Sequence, residues 1–292
     1  SVSYAHIDFD TLDGTPLSRL QSAQPALSAG FLAKLPPLDQ QRARDNVLDV
    51  NLDLGLQFDL LFLTAAFGVT DTIDVSATLS INRVHMRAVA TAIIQDPNGD
   101  GGAFFSGTQP GVVMGGSGAC KTDFTCARDH FDESATGTGD LWLRSKWHLY
   151  DATFVDLAVV GVLTLPTGNA DNLLGFHDPT FTPWLIASKT FGRISPHLNL
   201  GYAFRSHADV SQAQWITGAD VRAATWLTLA GDFLGYRDDG SDGINDDVVQ
   251  WAMSFRVNPF GQLVLGGVVQ FPVNRDGLRA DIIYTVQAEQ TF

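Results

Sequence analysis

Along most of this chain, hydrophobic and polar residues alternate one by one. In "DVNLDLGLQFDL", Val50, Leu52, Leu54, Leu56, Phe58 and Leu60 are apolar, while Asp49, Asn51, Asp53, Gln57 and Asp59 are polar. A period of two sends successive side chains to opposite faces of a strand, so the segment predicts a strand with one apolar and one polar face. The pattern returns at 141–149, 155–165, 198–204, 215–223, 227–233, 249–257 and 263–271. It returns again in the final "RADIIYTVQAEQTF", where Ile282, Tyr284, Val286, Ala288 and Phe292 share one parity. Twelve strands are predicted, near 1–11, 46–67, 72–95, 139–150, 154–166, 179–190, 195–206, 213–224, 226–236, 248–257, 261–272 and 279–292.

The connections are of two kinds. "GVTDT", "YDATF", "TFGRI", "AATW" and "NPFG" are short, whereas 12–45, 96–138, 167–178, 206–212, 237–247 and 273–278 are longer and more polar. Short turns at one end and long loops at the other mark an outer-membrane barrel, and an even strand count returns both termini to the short-turn side. The predicted fold is all-β: a transmembrane, up-and-down antiparallel barrel forming one domain over 1–292. Its turns are periplasmic, and its longest extracellular loops are 12–45 and 96–138. A soluble β-sandwich also alternates. Against it, Trp147, Tyr150, Tyr202, Phe204, Trp226, Trp251, Phe255 and Phe292 fall at or near strand ends, as interfacial girdles require.

Composition agrees. Hydrophobic residues make up 45% and charged residues 17%, the latter below the roughly 25% of soluble domains. No apolar run reaches the length of a membrane-spanning helix. The net charge of −14 argues against a nucleic-acid partner. No basic stretch followed by an apolar one stands at Ser1, so any secretory signal is expected to have been removed already.

The ending "YTVQAEQTF", with Tyr284, Val286 and Phe292, resembles the C-terminal signal read by the barrel assembly machinery of the outer membrane. The segments "YAHIDFDTLDG", "AAFGVTDTIDVSATLSI", "TGTGDLWLRSKWHL", "LTLPTGNADNLLG", "TFGRISPHLNLGYAF" and "GLRADIIYTVQAEQTF" cover most of the chain. Together they resemble a family of outer-membrane barrels named as transporters of the meta-pathway of phenol degradation. "TGTGDLWLRSKW" and "LPTG" are the most specific of these segments. The resemblance implies a bacterial outer-membrane protein in contact with lipid and lipopolysaccharide.

Several polar constellations are candidates for the lumen. The apolar parity slips within strands two and three, at Leu60/Leu61 and near Ser80–Asn82. Two facing bulges would keep the apolar faces together and place Asp49, Asp53, Gln57, Arg83, His85 and Arg87 on the lumen wall. Alternatively, this hairpin outgrows the membrane and these residues coat an extracellular extension. Strand four puts Trp142, Arg144, Lys146 and His148 on its polar face, with Asp156 expected opposite His148. Such a ladder either sets a transverse field in a pore or is neutralised in a filled barrel.

The loops offer less. Cys120 and Cys126 read as a disulfide closing a small loop, worth about 2 kcal/mol. "DPNGDGG" supplies Asp96, Asn98 and Asp100 like the start of a calcium loop but has no Glu at the twelfth position. "DDGSDGINDD" is similarly incomplete, so bound Ca²⁺ is the only cofactor suggested. A lipid hydrolase would need Ser and His on the lipid-facing wall; His197 and Asn199 share a face without an adjacent Ser, so no enzyme is expected. The predicted function is a channel or transporter for small aromatic or amphipathic solutes. The rival reading is a non-conducting barrel anchoring an envelope protein partner, with the apolar stretches "ALSAGFLAKLPPL" and "GGAFFSG" plugging the pore or binding that partner.

Overall fold

The structure, a computed structural model, describes residues 1–25, 33–34, 37, 40, 47–95, 126–205, 211–239 and 247–291. Its strands in chain order are β1 (Val2–Leu12), β2 (Thr15–Pro16), β3 (Leu20–Pro25), β4 (Val47–Gly68), β5 (Ile73–Gln95), β6 (Cys126–Asp151) and β7 (Asp156–Leu165). They continue with β8 (Thr180–Ser188), β9 (Ile194–Arg205), β10 (Ser211–Ala224), β11 (Leu227–Asp239), β12 (Asp247–Phe260), β13 (Leu263–Pro272) and β14 (Leu278–Gln290). From β4 to β14 each strand pairs with the next, and β1 lies between β14 and β4. Those twelve strands make the closed antiparallel barrel that the alternation predicts.

The described residues fall into two compact units. Ser1–Gly14, Leu56–His85 and Ser134–Phe292 form one; Thr15–Gly55 and Met86–Glu133 form the other. In the second unit β3 pairs with β4 from Leu20↔Leu52 to Pro25↔Val47. In the first unit the closing seam runs from Val2↔Leu63 to Phe9↔Leu56 between β1 and β4. Reciprocal backbone bonds end it, Ser1 N to Thr64 O at 2.7 Å and Thr64 N to Ser1 O at 2.9 Å. On its other edge β1 pairs with β14 from Val2↔Ala288 to Leu12↔Leu278.

Exposure separates the two faces of the wall. On β5, Val75, Leu79 and Ile81 are exposed, while Ser80 and Val84 are buried. Leu143, Trp147, Leu163, Leu185, Leu200, Phe233, Met253, Phe255, Leu265 and Val286 are likewise exposed on the outward parity of their strands, and Ala158, Val160, Ala203 and Ala252 are buried on the inward one. Large apolar side chains outside and small ones inside invert a soluble core and match a lipid-facing band. Glycine makes room for the bulk outside: Trp215 lies over Gly235 and Phe255 over Gly267.

Two strand boundaries differ from those read in the sequence. β6 begins at Cys126, inside the segment 96–138 read as a loop. Residues 15–25, also read as loop, contain β2 and β3. In "CARDHFDESATG" polar residues occupy both parities, so no alternation announces a strand. A strand outside lipid needs no apolar face. The lengths agree: β4, β5 and β6 have 22, 23 and 26 residues, about twice the 9–11 that cross a bilayer.

Closure makes a direct prediction. Without residues 1–9, the inner edges of β4 and β14 lose their partner, and each unpaired backbone group in lipid costs several kcal/mol. The truncated chain should lose the heat-modifiable electrophoretic mobility of a folded barrel. Unchanged mobility would show that β1 is not needed to close the wall.

Candidate functional site

The inward faces of β4, β5 and β6 and the connection between β7 and β8 build the most elaborate site of the barrel unit. Asp140 on β6 is 4% exposed. Its two oxygens accept from different points of that connection: Oδ1 from Gly168 N at 3.0 Å and Oδ2 from Phe176 N at 2.8 Å. Thr167 Oγ1 donates to Gly139 O at 3.0 Å and accepts from Leu141 N, also at 3.0 Å. From β5, Asn82 Nδ2 donates to Leu174 O at 2.8 Å. The connection is thus latched to the inner wall at Thr167, Gly168, Leu174 and Phe176.

Local sequence explains the latch. Asn169 caps the single 3-10 turn Ala170–Asn172 through its side chain, and Leu173 adopts a left-handed φ of 59°, reversing the chain so that Leu174 is buried. Two glycines are required by close approach. A Cβ on Gly139 would stand 2.1 Å from Ser80 Oγ and 2.3 Å from Asn82 Nδ2. A Cβ on Gly168 would meet the backbone of Leu174 and Gly175 at 2.8–3.0 Å. The segments "TGTGD" and "LPTGNADNLLG" are therefore two halves of one device, a relation that no periodicity in the sequence reveals.

Under the latch lies a cavity of about 510 Å³. Phe58, Leu60, Phe62, Trp142, Leu173, Leu174 and Phe176 line it, with Ser80, Asn82, Asp140 and His177 as its polar groups. Phe62 and Trp142 approach with ring centroids 5.4 Å apart. The Oδ1 atom of Asn82 is buried and has no hydrogen-bond partner. A mostly apolar, aromatic wall with few convergent polar groups is the usual composition of a small-molecule site.

Trp142, Arg144, Lys146 and His148 share the inward parity of β6: Trp142 is as exposed as Leu143, but Lys146 pairs with buried Val160 and His148 with buried Ala158. Arg144 and Lys146 line a smaller cavity of about 270 Å³ with Asp74 and Ser76. Three strands further round the ring of twelve, His197 of β9 lies between two carboxylates. Its Nε2 is 2.9 Å from Asp232 Oδ1 and its Nδ1 is 3.6 Å from Asp220 Oδ2. These three residues also face inward, alternating with exposed Leu198, Val221 and Phe233. The inward wall therefore carries basic residues on β6 and acidic residues on β10 and β11. His197 thus faces the lumen rather than lipid.

Asp156 is not opposite His148. An irregularity between His148 and Tyr150 shifts the register, so that Asp156 pairs with Asp151. Both carboxylates bind Lys189, at 2.8 Å from Asp156 and 3.0 Å from Asp151. These hydrogen bonds, Asp156's first, hold the half-buried Lys189 ammonium above its ordinary pKa.

The predicted set on strands two and three is divided. Asp49, Asp53 and Arg87 belong to the second unit, and Gln57, Arg83 and His85 to the barrel unit. Arg83 has the parity of exposed Leu79 and Ile81 and is itself exposed, on the outer rather than the lumen wall. Gln57 shares the parity of Asp59 and exposed Leu63, and also stands outside. The polar residues that follow the apolar run coat a strand that outgrows the bilayer. Asp96, Asn98, Asp100, Cys120 and Phe292 lie outside the described residues, and with them the calcium, disulfide and terminal-anchor expectations.

No family model and no curated protein matches the chain. Among solved structures it is similar to an outer membrane channel from Pseudomonas putida F1, at 14% identity and a TM-score of 0.47, covering 100% of this chain and 94% of that one. It is similar to the NanC porin at 6% identity and TM-score 0.47, over 99% and 100% of the two chains. For the CymD monoaromatic hydrocarbon channel the values are 9% and 0.46, over 100% and 88%. These identities are too low to carry residue roles across, so each role here rests on the chain's own geometry.

Proposed function

We propose that the protein is an outer-membrane channel for small apolar or amphipathic solutes, aromatic ones in particular. The aromatic cavity beneath the latched connection carries this reading. A solute entering from the long-loop, extracellular side meets Phe58, Phe62, Trp142 and Phe176, surfaces suited to a planar ring. It then passes Arg144 and Lys146 toward the periplasmic turns. The latch narrows the route without sealing it by any covalent link, so passage depends on how firmly Asp140 holds the connection.

Conductance of single barrels in planar bilayers, together with solute-driven swelling of liposomes, tests the proposal. Discrete openings, and faster swelling with phenol than with a sugar of similar size, are expected. A silent barrel with no uptake would favour the anchoring alternative.

Two variants probe the parts. Asp140→Ala removes two charge-assisted backbone hydrogen bonds of about 1.5–3 kcal/mol each. It should raise conductance and expose 167–178 to protease; wild-type conductance with an uncut loop would show that the latch does not set the bore. Arg144→Glu with Lys146→Glu should reverse or sharply reduce any anion preference, because fixed charge in a narrow pore sets local ion concentration. A folded, conducting barrel of unaltered selectivity would place these side chains away from the ion path.

A further inference from the structure

At the seam where β1 closes on β4, the outer wall carries a polar set that an all-apolar lipid face would not contain. Tyr4 OH donates to Asp59 Oδ1 at 2.6 Å, and His6 Nδ1 meets the same oxygen at 2.8 Å. Beside them Gln57 Nε2 donates to Asp8 Oδ2 at 3.0 Å. On the neighbouring strands β4 and β5 the Thr64 and Thr78 hydroxyls meet at 2.8 Å, and equal steps along the two strands from that pair bring Arg83 beside Asp59. His6 is directly opposite Asp59 on one side and the exposed Tyr284 on the other. All these residues share the outward parity of exposed Val2, Leu63 and Ile81, and all belong to the barrel unit.

Height along the wall identifies what this set touches. Asp59 stands about ten residues from the short turn at Val69, or roughly 25 Å at ~3.3 Å per residue and ~40° of tilt. That equals the usual thickness of the apolar band, so the set lies at the band's long-loop edge. In the outward, stacked Phe233–Trp251 pair, Trp251 stands a comparable distance from its own short turn at Gly261. A polar cluster costs little there, whereas a charge at the midplane would cost about 2–4 kcal/mol.

The chemistry is mixed. The Arg83 guanidinium suits an anion, whereas the Asp8 and Asp59 carboxylates, and the Nε2 edge left to His6 once its Nδ1–H donates to Asp59, accept from hydroxyls. Tyr4 and Tyr284 flank them with aromatic faces. A simple acidic lipid would satisfy the guanidinium and leave the carboxylates facing its charge. A phosphate carried on a sugar satisfies both. We propose that this seam is a binding site for the phosphorylated sugar headgroup of an outer-leaflet glycolipid. The convergent bonds on Asp59 fix the set before the lipid arrives, and strands paired on both edges hold it rigid. The proposal rests on the barrel spanning the outer membrane and is independent of whether it conducts.

Native mass spectrometry of the full-length barrel, released from vesicles containing lipid A or phosphatidylglycerol, reads the site directly. Wild type should retain one lipid A, with an apparent affinity at least about tenfold above that for phosphatidylglycerol, the scale of one lost charge-assisted hydrogen bond. Lipid A stripped of its phosphates should lose that advantage on the wild-type protein, an arm that needs no variant. Arg83→Gln combined with His6→Gln should bring lipid A down to the phosphatidylglycerol level, while Arg237→Gln, elsewhere on the wall, should not. Equal retention of both lipids by wild type, or full retention by the double variant, would overturn the proposal. Displacement by inorganic phosphate alone would also overturn it, by assigning the site to a free anion. Loss of conductance would not bear on these outcomes, which keeps them separate from the channel reading.

Discussion

Everything in this fold depends on one constraint: in lipid, every backbone N–H and C=O must find its partner within the protein. An open sheet of eleven strands, β4 to β14, would leave two bare edges. β1 removes both by pairing with β14 on one side and β4 on the other. The closing strand therefore fixes which side chains face out, because its register sets the parity of the whole ring. It also brings Tyr4 and His6 onto Asp59, residues more than fifty positions away in sequence.

Once the wall is closed, the two faces meet different physics. The outer face gains nothing from polarity over the height of the band and fills with Leu, Phe, Trp and Val. The inner face must be filled or watered, and here it is divided. One side carries the cavity under the latch, lined by the aromatic rings of Phe58, Phe62, Trp142 and Phe176. Round the ring from it, His197, Asp220 and Asp232 keep a charged surface. The latch itself is polar chemistry in a buried place, and it persists because Asp140 is satisfied at both oxygens. An aspartate so held fixes the connection against the inner wall.

Strand number, strand faces and closure were legible because period two is enforced wherever one face meets lipid. The shared parity of Arg144 and Lys146 follows from the same period of two. Where lipid ends, enforcement ends, and β6 between Cys126 and Gly139 left no trace in the pattern. The same loss misled the reading of Gln57 and Arg83: their strands run on past the apolar band, so a polar outward parity there signals emergence from lipid rather than a change of face. Asp156 was placed wrongly by a local irregularity at His148–Tyr150 that the turn sequence "YDATF" does not announce. The latch was invisible because it joins Asn82, Asp140 and the segment 167–176 across strands, through contacts that depend on the absence of a Cβ at Gly139.

The assignment of faces can be tested with the protein's own tryptophans. Trp147, Trp215, Trp226 and Trp251 stand on the outer wall or its rim, whereas Trp142 and Trp184 point inward, Trp184 packed over Gly201. Single-tryptophan variants in vesicles of brominated lipid would show which indoles touch acyl chains. Strong quenching of Trp251 and Trp147, with Trp142 and Trp184 unaffected, is the predicted result. Quenching of Trp142 or Trp184 as deep as that of Trp251 would mean that the faces are reversed and that neither the latch nor the cavity lies in a lumen.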